Sequence, residues 1–199
     1  MNLLFGFDSD GKINLNKIII EYNHEFNNKK RTIPNNVTHL TINCEYMCFS
    51  KVIIPQNVTN LFINTNMNKK IIIPLNVTHL TYGKYFNRKI KIPYNVTHLI
   101  VGDYFNNKVK IPQNVTHLTF HGYFNKKIKI PNNVNKLFLG YYYNQRIIIP
   151  QITIMLMVYN YFNKKIKIPQ NMIIFNINFN FNFANAYDKS IKMPNNVLK

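Results

Sequence analysis

Acidic residues are scarce in this 199-residue chain: 7 Asp and Glu stand against 25 Lys and Arg, for a formal charge of +18. The acids are scattered as Asp8, Asp10, Glu21, Glu25, Glu45, Asp103 and Asp188, which excludes chemistry built on paired carboxylates. Tryptophan is absent and glycine occurs only 6 times. Phosphate loops, dinucleotide fingerprints and G-x-S-x-G elbows are all missing. No enzyme is expected. The 2 cysteines, Cys44 and Cys48, are too few for a disulfide framework and fit a reducing compartment. A lone C-x-x-x-C pair is a weak zinc signal, so neither a metal nor a cofactor is expected. No run approaches the roughly 20 apolar residues of a membrane helix. The start, MNLLFGFDSDG, lacks a basic leader, and Asp8 and Asp10 break its apolar run. A cytoplasmic location, without membrane contact, follows as the expectation.

What the chain does have is one sentence written repeatedly. PLNVTHLTYGKYFNRKIKI, PYNVTHLIVGDYFNNKVKI and PQNVTHLTFHGYFNKKIKI follow one another from Pro74 to Pro131. The prolines fall at 34, 55, 74, 93, 112, 131, 150, 169 and 194, a step of 19 except at the first and last intervals. Self-similarity at a period near 20 marks a solenoid. Residues 1–30 read as a leading cap, 31–170 as coils, and 171–199 as a terminal strand with its cap, all in one domain.

Within each copy, apolar residues sit three, six and eight positions after the proline. Val77, Leu80 and Tyr82 show the pattern, as do Val96, Leu99 and Val101, then Val115, Leu118 and Phe120. The last two alternate as a half-buried strand requires. A second alternation, Ile90-Lys91-Ile92 and its copies, predicts an extended return leg with isoleucine inward and lysine outward. Proline ends that leg because it cannot donate to a ladder. Phe86, Phe105, Phe124, Tyr143 and Phe162 predict a buried aromatic spine at the other corner. The Asn that follows each predicts a hydrogen bond to loop backbone. Nineteen residues leave no room for a proper helix. The expected fold is mainly β: a leucine-rich-repeat-like solenoid of about seven 19-residue coils with a parallel sheet and little or no helix.

The core I-P-x-N-V-T-H-L-x-x-G-x-Y-F-N-x-K-I resembles the FNIP repeat, a leucine-rich-repeat relative of social amoebae and giant viruses, over about residues 26–170. Family repeats are usually slightly longer, so the corner after Phe-Asn is expected to be tighter here. The resemblance implies a protein of a giant virus or amoeba that binds host or viral proteins, in the host cytoplasm or the virion. In giant viruses such repeats often follow an F-box, which would imply a ubiquitin-ligase adaptor; residues 1–30 contain no recognisable F-box.

The outward strand positions repeat as well. His39, His79, His98 and His117 form one column, interrupted by Asn60 and ended by Lys136, with Thr41, Thr81 and Thr119 two residues further on. Metal sites need converging ligands, so the column reads as a stacked repeat rather than a metal centre. Crowded imidazoles resist joint protonation, so His98 is expected to titrate below the usual value near 6.5. Lys70, Lys89, Lys108, Lys127, Arg146 and Lys165 form one basic column, and Lys91, Lys110, Lys129 and Lys167 another. Two origins of the charge stay open: an anionic partner, or A/T-rich codon usage that raises Lys everywhere. No aromatic residue alternates with the outward lysines, which disfavours a single-strand stacking platform. Asn36, Asn57, Asn76, Asn95 and Asn114 begin N-V-T sequons and read as by-products of the repeat. Phe175 and Ile177 predict a last sheet strand whose edge is either capped by residues 184–199 or free to pair with a second copy or a partner.

Extended solenoids work by presenting surface to macromolecules. A noncatalytic protein-interaction scaffold is therefore expected, using His39, His79, His98, His117, Thr81 and Thr119. The alternative is polyanion (nucleic acid) binding or structural self-assembly, through the lysine columns or the terminal strand.

Overall fold

In the computed structural model, residues 2–7, 13–21, 33–44, 52–65, 71–159, 161–162, 164 and 166–178 are described. Ten strands form one sheet in strict sequence order. They are β1 (Asn2–Phe7), β2 (Ile13–Glu21), β3 (His39–Cys44), β4 (Asn60–Thr65), β5 (His79–Tyr82), β6 (His98–Val101), β7 (His117–Phe120), β8 (Lys136–Leu139), β9 (Met155–Tyr159) and β10 (Ile174–Asn178). From β4 onward the strands begin at 60, 79, 98, 117, 136, 155 and 174, so six turns of 19 residues follow one of 21. No helix occurs among the described residues. The solenoid expectation stands.

β2 to β10 pair in parallel, and β1 turns back antiparallel onto β2. The parallel ladder thus includes β2, within the segment read above as a leading cap. Cys44, placed by sequence in an insertion, ends β3 opposite Thr65; Cys48 lies outside the described residues. β10 pairs with β9 in the expected register, Phe175 opposite Leu156 and Ile177 opposite Val158. The remainder of the alternating Phe-Asn run, from 179 onward, lies outside the described residues.

Burial follows the repeat. Val96, Leu99 and Val101 are fully buried, as are their equivalents in neighbouring coils, and Ile92, Ile111, Ile130 and Ile149 close the core from the return leg. Each such side chain contributes roughly 1.5–3 kcal/mol on burial, and stacking makes the ladders continuous. In each P-x-N-V corner the Val N–H donates back to the proline carbonyl, as from Val96 to Pro93 at 3.3 Å. The predicted spine is present: Phe86, Phe105, Phe124, Tyr143 and Phe162 are buried, with successive centroids 5.9 to 6.4 Å apart. Beside it, the Oδ1 atoms of Asn87, Asn106 and Asn125 accept the N–H of Asn106, Asn125 and Asn144 at 3.0–3.1 Å. The asparagines therefore tie coil to coil. Glycine is required where coils approach most closely after the strand: a Cβ on Gly102 would overlap the carbonyl oxygen of Gly83.

Candidate interaction surfaces

The outward histidines meet in register on β5, β6 and β7. His79, His98 and His117 stack with ring centroids 4.1 and 4.0 Å apart and planes within 15° and 20°. His39 stands apart because Asn60 occupies the column between it and His79. The rings are held from behind: the hydroxyls of Thr78, Thr97 and Thr116 lie 3.0, 2.9 and 2.9 Å from Nδ1 of the histidine that follows each. The Thr97 hydroxyl also lies 3.2 Å from the Thr78 carbonyl. That carbonyl already accepts the N–H groups of Thr97 and His98 at 2.9 and 3.0 Å. Each hydroxyl has one proton, so Nδ1 either accepts it or donates its own N–H to the hydroxyl oxygen while that proton goes to the carbonyl. The column presents a row of ring nitrogens.

Partial burial lowers the His98 pKa to about 4, and repulsion from His117, His79 and Lys136 adds to the shift. The direction matches the expectation, although burial outweighs the crowding that motivated it. His117 is lowered too, by burial first and then by Lys136 and His79. Among the described residues no group of three or more His, Cys, Asp or Glu could hold a metal ion. The stacked rings set their nitrogens side by side instead of converging on one point.

Thr81 and Thr119 are half-buried on either side of Ile100, which is in register with both. Toward the C-terminal end the face changes character. Lys136 follows His117, and Phe138, Met155, Met157 and Tyr159 then make the outward surface apolar. Phe138 lies 5.4 Å from His121 and 5.2 Å from Tyr159, which in turn lies 4.7 Å from Tyr141. Extending the 19-residue columns past Lys136 would have disclosed this patch, which sequence reasoning missed.

The opposite flank carries the basic columns. Lys89, Lys108, Lys127 and Arg146 are exposed, as are Lys91, Lys110, Lys129 and Lys167; Lys70 and Lys165 lie outside the described residues. Ile53, Ile72 and Ile148 occupy the second column's position in other coils and are 65, 67 and 88 % exposed, so that column is only partly basic. A further column escaped the sequence reading. Tyr85, Tyr104, Tyr123, Tyr142 and Tyr161 are 41–52 % exposed and stack at 5.7, 5.5, 4.8 and 5.1 Å with planes within 20°. The ammonium of Lys84 sits over the Tyr85 ring, 5.5 Å from its centroid. The Tyr142 phenol is raised in pKa, first by repulsion from Tyr123, then by partial burial, by repulsion from Tyr161 and by a hydrogen bond with Tyr123. The surface therefore does expose aromatics beside its lysines.

Asn and Thr of the N-V-T triplets line a shallow groove of about 680 Å³ running from Asn36 to Asn114. Their carboxamide nitrogens, where a glycan would attach, donate to the coil before: Asn57 to Asn35 O at 2.6 Å, Asn76 to Gln56 O at 2.8 Å, and Asn95 to Leu75 O at 2.9 Å. The sequons thus carry a structural ladder. Among the described residues no helix is long and apolar enough to cross a membrane.

Comparison with solved structures finds CroV588, described as a novel circular LRR protein, with a TM-score of 0.65 and 31% identity over 80% of this chain. The chain spans only 27% of that protein. No curated protein matches. The FNIP Repeat matches at residues 22–66, 86–123 and 105–142, and these together cover just over half of the chain. With its strand, corner and spine positions all recurring every 19 residues across the matched coils, the chain belongs to the FNIP repeat family.

Proposed function

We propose that this protein is a noncatalytic scaffold that binds a protein partner across the outward face of its sheet. The reading is carried by one observation: packing between elements is confined to neighbouring strands, so no described element covers that face. His39, His79, His98, His117, Thr81 and Thr119 contribute hydrogen-bonding groups at the N-terminal end, and Phe138, Met155 and Met157 contribute apolar contact at the other. The face is thus polar at one end and apolar at the other, and its apolar end is the part a partner would desolvate. By analogy with its family, the partner is a host or viral protein in the cytoplasm. Affinity purification of the tagged chain from amoebal lysate at low and high salt tests this. A defined protein set should survive high salt and be lost from a His98→Glu/Phe138→Glu variant; recovery of the same proteins by that variant would refute the assignment.

A second reading rests on the basic flank. Asp103 is the only acid between residues 46 and 187, so the exposed columns of Lys89, Lys108 and Lys127 and of Lys91, Lys110 and Lys129 have almost no internal counter-charge. A polyanion bound there would release counterions and weaken steeply with salt.

A further inference from the structure

We infer that the flank formed by the return legs adsorbs to an anionic lipid bilayer, with its lysines at the headgroups and its exposed isoleucines among the acyl chains. The inference rests on the basic-flank reading above and names the anionic partner. Three observations carry it.

The first is that both cation columns share one face. Lys89 and Lys91 are exposed, whereas Ile90 between them packs against the core and Ile92 beyond them is buried. Lys108 and Lys110 flank Val109 in the same way, and Lys127 and Lys129 flank Ile128. From coil to coil, Lys91, Lys110 and Lys129 each stand seven residues before the first residue of β6, β7 and β8, and those strands are in register. Successive cations of a column are therefore set apart by about the strand spacing of 4.8 Å.

The second is what interrupts the column. Ile53, Ile72 and Ile148 stand seven residues before β4, β5 and β9, so they occupy the place of those lysines, and they are 65, 67 and 88 % exposed. A nucleic-acid backbone would neutralise the lysines but has no apolar phase to take up aliphatic side chains. An anionic bilayer satisfies both, because its acyl chains lie just beneath its phosphates. Burial of apolar surface there adds to the electrostatic attraction.

The third is the kind of cation. Among the exposed cations of the two columns, Arg146 is the only arginine. Lysine lays its aliphatic stem along apolar surface and keeps its ammonium in water, whereas arginine suits planar, bidentate recognition of phosphate. Asp103, the only acid between residues 46 and 187, lies in neither column. The sequence-based expectation of no membrane contact rested on the lack of a spanning helix and a leader; adsorption needs neither.

The test is co-sedimentation of the full chain at physiological ionic strength with vesicles of mixed phosphatidylserine and phosphatidylcholine, and with vesicles of phosphatidylcholine alone. Poly(U) binding is measured alongside. Three variants accompany the parent: Lys91→Glu/Lys110→Glu/Lys129→Glu, Ile53→Thr/Ile72→Thr/Ile148→Thr, and Ile148→Trp. All change exposed positions at which the coils already differ in residue type, and a thermal melt checks that each folds. The mixed vesicles should sediment the chain and phosphatidylcholine alone should not. The lysine reversal should weaken vesicle binding by roughly hundredfold or more. The isoleucine triple should weaken it by roughly tenfold and leave poly(U) binding unchanged. The chain has no tryptophan of its own, so the Ile148→Trp emission reports on that position alone. It should shift to the blue on the mixed vesicles and be quenched by brominated acyl chains. Should a multiple variant fail to fold, the two vesicle types and the tryptophan still decide. Equal vesicle binding by the isoleucine triple, with no emission shift at position 148, would overturn the inference. Binding of poly(U) but not of the mixed vesicles would also overturn it and leave the basic-flank reading intact. Binding of neither would overturn both.

Discussion

Protonation of His98 provides a quantitative test of the histidine column. Its ring lies 4.1 Å from His79 and 4.0 Å from His117. Two unit charges at that distance repel by about 1 kcal/mol even at the dielectric constant of water, so two charged flanks oppose protonation by about 2 kcal/mol before salt screening. Burial adds to this, and Lys136 contributes a third repulsion. The folded pKa of about 4 lies below the unfolded value near 6.5. Between those values the unfolded chain binds more protons, so unfolding free energy rises with pH. The contribution is present above about pH 6.5 and is lost as pH falls toward 4. A shift of that size corresponds to about 3 kcal/mol where solvent does not screen it. The ring edge meets water, and screening reduces the expected effect to about 1–2 kcal/mol. Imidazole titration by NMR, with urea denaturation at pH 7.5 and 4.5, measures both quantities. His98→Asn is the matched control, because Asn60 already occupies this column. The variant should lose less stability on acidification than the parent. A His98 resonance titrating at or above 6.5, or an unchanged pH slope in the variant, would refute the reasoning.

Three further predictions concern the coil itself. Leu99→Ala removes a fully buried side chain from a continuous ladder and should cost about 2–5 kcal/mol in chemical denaturation. Gly102→Ala drives a methyl group into the Gly83 carbonyl and should destabilise by about 1–3 kcal/mol, read from the same experiment. Tyr143→Phe should act in the opposite direction. The Tyr143 hydroxyl is buried without a hydrogen-bond partner among the described residues, and burial pushes its pKa up to about 12. Phenylalanine already fills the equivalent position in four neighbouring coils. Relieving the unmatched hydroxyl should raise stability by about 1 kcal/mol, seen as a higher melting temperature.

Most of the coil was legible because translation repeats every environment at a fixed step. Val96, Leu99 and Val101 could be placed inward from period-2 alternation, and the residues at the same step in other coils had to share their column. That reasoning placed His79, His98 and His117 in one row and Phe105 with Phe124 in one spine. It overlooked the tyrosine beside each spine residue. Phe105 was placed inward correctly, but turn backbone lacks the strict alternation of a strand, so the pattern did not mark Tyr104 and its copies as an outward stack. The C-terminal patch was missed for a different reason: Phe138, Met155 and Met157 depart from the consensus, although their column was already defined.

The sequence by itself determined the 19-residue step, the inward ladders and the membership of each outward column, because these follow from periodicity and hydrophobic burial alone. Only the tertiary structure decided how members of a column meet. It stacked the imidazoles at about 4 Å, set a threonine hydroxyl against each Nδ1, turned the tyrosines outward and used the sequon asparagines as ties between coils. Those outcomes depend on rotamers and corner geometry, which are set by contacts with the coil on either side and leave no periodic signature of their own.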